Sequence, residues 1–140
     1  MSFLRQSQTT GNLDYIDEAG RDWFLGQGWA GNDSRAGVNP DHIQGRNNPT
    51  AQQIHCIGPL PQGWYDIGAP ITHPHLGPLA FPLTPDPTNE MFGRSDFFIH
   101  GAGGADPANS SEGCIIQAHD VRAHLEQLVD AGTTRLQVVA

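Results

Sequence analysis

The chain has 140 residues and sets 7 arginines, with no lysine, against 15 acidic residues, for a formal charge of −8. That balance leaves no basic stripe for a nucleic-acid partner, and the length suits one domain, 1–140, rather than two. Its 17 glycines and 11 prolines disfavour a helical bundle and favour short strands joined by turns, and no apolar run approaches the roughly 18 residues of a membrane span.

Residues 1–10 read as a flexible N-terminal segment. Met1–Ser7 lack a charged region followed by an apolar run, so they do not form a secretory signal peptide. Gly11–Ile16 and Arg21–Gly26 predict a hairpin turning near Glu18-Ala19-Gly20. Gly28-Trp29-Ala30-Gly31 opens an irregular stretch that includes Asn47-Asn48-Pro49. Ile54-His55-Cys56-Ile57 reads as a strand, and the turn Gly58–Gly63 leads into a second strand, Trp64–Ile67. Six prolines between Pro70 and Pro87 nearly exclude helix and predict an edge strand around Leu79-Ala80-Phe81 or an extended loop. Asp96–His100 is the clearest buried strand. Helical spacing appears at Val121, Leu125, Leu128 and Val129, with Asp120 as N-cap and Gly132 as stop, and Arg135–Val139 closes the chain as a strand.

Two elements carry chemistry: His100-Gly101 at a strand end, and Ser111-Glu112-Gly113-Cys114 entering the next apolar run. The polar, glycine-rich segment between them is a surface loop that can bring thiol and imidazole together. A cysteine nucleophile needs such a partner, because the thiolate is the reactive form and an ordinary thiol titrates near about 8.5. Gly113 lets the backbone turn so that the N–H groups of Gly113 and Cys114 can form an oxyanion hole. Ser111 either bonds the histidine or shapes the turn. A lone cysteine is more often a buried structural thiol, which is how Cys56 reads. His73-Pro74-His75, joined by His55 or His100, offers a different chemistry as a zinc site, although no carboxylate lies at helical spacing to complete it.

The pattern His-Gly, variable loop, Ser-x-Gly-Cys resembles the active-site signature of the L,D-transpeptidases (YkuD-like domains). It is closer still to the short type VI secretion L,D-transpeptidase effector family. The shared motifs are Gly28-Trp29-Ala30-Gly31, Asn47-Asn48-Pro49, Gly58-Pro59-Leu60-Pro61-Gln62-Gly63-Trp64-Tyr65, Ile99-His100-Gly101 and Ser111–Ile115. They run in order from about residue 11 to the C-terminus. One departure is Ile116, which stands where many housekeeping members carry arginine.

The resemblance implies a mostly β fold, a β-sandwich or barrel with one short helix after the cysteine turn. It implies Cys114 as nucleophile, His100 as base and acid, and a backbone carbonyl or Ser111 orienting the histidine. It implies no cofactor and no metal. The substrate would be the stem peptide of peptidoglycan, with Gly101, Tyr65, Trp64, Arg94 and Arg46 as substrate contacts. The setting would be an antibacterial toxin made in the cytoplasm, delivered by a type VI component, acting in a target periplasm and neutralised by an immunity protein. The alternatives are a zinc peptidase using His73 and His75, and a non-catalytic binding module on the same fold.

Overall fold

Turn-forming residues interrupt the chain every few positions, so the backbone satisfies its hydrogen bonds mainly through short β ladders. The computed structural model describes all 140 residues. Its strands are β1 (Phe3–Ser7), β2 (Asn12–Ile16), β3 (Asp22–Gln27), β4 (Trp29–Ala30), β5 (Gly63–Ile67), β6 (Ile71–His73), β7 (Gly77–Pro85), β8 (Phe97–His100), β9 (Ile115–Ile116) and β10 (Arg135–Val139). A single α-helix, α1 (His119–Asp130), lies between β9 and β10. The strands form one mixed sheet ordered β3-β2-β1-β10-β5-β7-β8-β9-β4, with β6 pairing β7 off that path.

The two ends of this order, β3 and β4, are separated in sequence only by Gly28. The sheet must therefore curl until its edges meet, which gives a sandwich-like wrap around one core. Gly28 makes the closure possible: its N–H donates to the Gly11 carbonyl at 2.9 Å, and a Cβ there would run into the Ile116 carbonyl. Inside lie Leu4, Leu13, Tyr65, Phe81, Ile99, Ile115, Leu125 and Leu136, all fully buried. The helix docks through Leu125, with Val121, Leu128 and Val129 packed beside it.

Four local expectations are corrected. Residues 1–10 hold β1, an interior strand parallel to β10 and antiparallel to β2, because Leu4 and Gln6 point into the core. β7 is interior rather than an edge strand. Its prolines are tolerated because residues 77–80 pair with β6 and 83–85 with β5, and Pro82 falls where the partner changes. The segment around Cys56 is a run of turns rather than a strand. Pro49 starts a tight 3-10 turn, and Gly58 N–H closes back on Ile54 O at 3.0 Å, with Cys56 exposed at φ 64°. The helix cap falls two residues earlier, at Ala118, with Asp120 in the first turn.

Leu125 is the helix's one fully buried apolar side chain. Leu125→Ala is expected to cost about 2–5 kcal/mol, read as a lowered urea midpoint with an unchanged slope.

Candidate active site

β8 and β9 run parallel, with Ile99 opposite Ile115 and His100 opposite Ile116. Ile99 and Ile115 are both fully buried in the core. Side chains alternate along a strand, so residues 98, 100 and 114 are turned to the other face. Strand spacing and rise put the Cα atoms of His100 and Cys114 about 8 Å apart, a gap that an imidazole and a thiol can close. Both line one open cleft of about 1270 Å³.

The sulfur accepts a hydrogen bond from Phe98 N–H at 3.3 Å. Burial is the main influence on the thiol, pushing it up to about 11, while the Phe98 N–H and the Arg94 guanidinium act in the opposite direction. His100 is buried, and desolvation holds its imidazole below the ordinary 6.5. Burial thus disfavours the charged form of each group, thiolate and imidazolium alike. Nδ1 of His100 lies 2.8 Å from the Gly101 carbonyl. A carbonyl can only accept, so Nδ1 carries the proton and Nε2 keeps its lone pair for the thiol.

The turn before the cysteine is held by Ser111. Its hydroxyl donates to Cys114 O at 2.7 Å and accepts from Gly31 N–H at 2.9 Å and Gly113 N–H at 3.0 Å. Those three bonds fill its capacity. Ser111 thus shapes the turn and makes no bond to His100. They also occupy the Gly113 N–H, which corrects the expectation of an oxyanion donor there; the Cys114 N–H lies within reach of its own sulfur. Gly113 is required at φ 126°, and a side chain would collide with Arg94 and Phe97.

The expected substrate contacts separate. Tyr65 is fully buried, and its hydroxyl donates to Pro61 O at 2.6 Å, so it is a core residue. Trp64 points to the opposite side of β5, against Phe3 and under Arg135. Arg46 bonds Ala108 O at 2.8 Å and pairs with Asp33, tying down the 101–113 loop from outside the cleft. Arg94 does reach the cleft, but Nη1 and Nη2 are spent on the carbonyls of Gln52, Pro59, Gly58 and Glu112. It clamps the 52–59 turns to the cysteine loop. Gly101 lines the cleft beside Arg122. The Phe98 N–H and Arg122 escaped the sequence reading: a backbone donor leaves no residue-type signal, and Arg122 lies within an amphipathic helix that reads as packing.

His73 and His75 also line the cleft, and the His73 ring packs edge-on to Phe98 at 5.2 Å. His73 Nδ1 accepts from the His75 and Leu76 N–H groups at 3.0 and 3.2 Å. No three His, Cys, Asp or Glu side chains converge to hold a metal ion.

The site sets His100, at the end of β8, and Cys114, the residue before β9, on one face of a wrapped mixed sheet. The fold is similar to that of Bd1075 from Bdellovibrio bacteriovorus, with a TM-score of 0.56 at 14% identity. The alignment covers 99% of this chain and 47% of that one, so the chain spans about half the length of that protein. No curated protein matches the chain. Residues 41–139 match the model of the Tlde1 domain, and the chain belongs to that family, one of type VI secretion effectors.

Two outcomes are expected. Ser111→Ala strips three buried hydrogen bonds from the cysteine turn and should lower stability by roughly 1–3 kcal/mol, seen as a drop in Tm. With His100 as the base, the pH dependence has a definite sign. A protonated imidazole cannot take the thiol proton, so activity rises with pH through the His100 pKa. The acid limb of kcat/KM should therefore lie below pH 6.5, the ordinary value.

Proposed function

We propose that the domain is a cysteine L,D-transpeptidase and L,D-carboxypeptidase acting on the tetrapeptide stem of peptidoglycan, and that it serves as an antibacterial toxin. The observation that carries this reading is the β8–β9 register. It puts the Cys114 sulfur under the Phe98 N–H on the same face as His100, whose tautomer is set by Gly101 O. Membership of the Tlde1 family and the order of the sequence motifs support it.

In the reaction, His100 Nε2 takes the thiol proton as sulfur attacks the carbonyl carbon of the third stem residue. The tetrahedral oxyanion collapses, the bond to the terminal D-alanine nitrogen breaks, and His100 returns its proton to that nitrogen. A thioester on Cys114 remains. Water, deprotonated by His100, releases a tripeptide; a D-amino acid amine gives exchange, and the amine of a neighbouring stem gives a 3→3 cross-link. Raising the thiol and lowering the imidazole keeps the pair uncharged until substrate arrives, so proton transfer accompanies attack. As an effector, the protein would be carried by a type VI delivery component into a competitor's periplasm. Its producer would need a periplasmic immunity protein.

Incubation with tetrapeptide or purified sacculi, followed by mass spectrometry, should convert tetrapeptide to tripeptide and exchange terminal D-alanine for added D-methionine. Cys114→Ala and His100→Ala should fold yet lose at least about 10³-fold in rate, the scale of a missing nucleophile or base. Activity that survives in either variant contradicts the mechanism, and activity abolished by EDTA would point to zinc.

A further inference from the structure

The arginines of the cleft wall are not equivalent. Arg35 is neutralised by Glu112 at 2.7 Å, and Arg94 is consumed by four backbone carbonyls. Arg122, projecting from α1, is only 7% exposed. Its Nε donates to Gln117 O at 3.0 Å, and Nη1 to Pro78 O and Leu79 O at 2.7 and 3.2 Å. Nη2 has no acceptor in the protein, and Arg122 takes part in none of the ion pairs. Three fixed bonds thus aim a nearly buried cation into the cleft with one edge unfilled.

That edge lies against the residue that follows the catalytic histidine. A Cβ on Gly101 would come within 2.6 Å of Nη2, and the positive charge of Arg122 is felt by the His100 ring. His100 must hand its proton to the leaving nitrogen. In a leaving α-amino acid, the carbon attached to that nitrogen carries the carboxylate. The carboxylate therefore falls on the imidazole side of the scissile bond, where Nη2 is the cation with free donors.

We propose that Arg122 Nη2 receives the terminal carboxylate of the peptide and so selects substrates whose leaving residue ends the chain. This deepens the reading above and rests on it for the direction in which the peptide lies. It also supplies the cation that Ile116 and Gln117 do not: Ile116 is buried against Trp29 in the β4–β9 pair, and Gln117 bonds Gly11 O and Gly26 O. Nε and Nη1 fix the guanidinium plane in advance, so a carboxylate meets a donor already oriented. Gly101 is held to glycine here by the space that Nη2 occupies.

The test compares a synthetic stem tetrapeptide with its C-terminal amide, by calorimetric binding to Cys114→Ala and by turnover with the unmodified domain. The acid should bind at least tenfold more tightly than the amide. Adding Arg122→Gln should bring the ratio close to one, and Gly101→Ala, which pushes on Nη2 without touching its carbonyl bonds, should reduce it. Equal binding of acid and amide overturns the proposal, as does binding of neither, or a preference that persists unchanged in a folded Arg122→Gln or Gly101→Ala protein. Gly101→Ala decides the matter if Arg122→Gln does not fold. Absence of turnover with the acid preference intact would remove the cysteine chemistry and leave the carboxylate site standing.

Discussion

The parallel register of two short strands governs the site. Ile99 and Ile115 face each other in the core, and burying that pair forces the alternate residues outward, His100 from one strand and the approach to Cys114 from the other. A slip of one residue would send the thiol into the core and an isoleucine into the cleft. Parallel neighbours cannot be joined by a tight hairpin, so the chain crosses over through residues 101–113. The same requirement that separates His100 and Cys114 in sequence supplies the loop that walls the cleft.

Holding that register on so short a ladder depends on the irregular segments around it. Gly31 N–H, Asn32 Nδ2 and Asn109 tie the turn before Cys114 to the first third of the chain. Arg94 ties it to the 52–59 turns through carbonyls of both segments. A nearly buried guanidinium, answered by carbonyl dipoles and by the face of the Phe97 ring at 5.2 Å, loses water that these partners must replace. The arrangement tolerates this because each of its terminal nitrogens is bonded, and its charge acts on the Cys114 thiol in the direction of thiolate. Desolvation works the other way on the reacting groups, disfavouring both thiolate and imidazolium at rest. The Phe98 N–H and Arg94 are the fixed dipole and charge that favour the thiolate once the proton moves.

The strands with clear alternation, the hairpin of β2 and β3 and the helix stripe were legible in sequence because each is a local pattern. That Cys114 and His100 could share one cleft was legible, because a thiol after a glycine and a strand-end histidine carry residue-type signals. The position of β1 was not, since Leu4 and Gln6 alternate too briefly to announce an interior strand. Nor was the central place of β7, because prolines ordinarily mark an edge, and only the handover between β6 and β5 frees those positions. Tyr65 and Trp64 looked alike in sequence, yet one-residue alternation sends the first into the core and the second to the opposite face. Arg94 was found for the right location and the wrong task. Its commitment to four carbonyls depends on turns that meet only after folding. The glycine and asparagine motifs around Gly28–Gly31 and Asn47 form part of the bed on which the cysteine turn rests.

The proposed mechanism requires an acyl group to form on one sulfur, that of Cys114. Acid-quenching the protein within seconds of mixing with stem tetrapeptide, followed by intact-mass analysis and peptide mapping, reads this directly. The account predicts an adduct with the mass of the tripeptide acyl group on the peptide containing Cys114, labile to hydroxylamine and absent from His100→Ala. An unmodified Cys114 while tetrapeptide is being consumed, or an adduct on Cys56 instead, would contradict it.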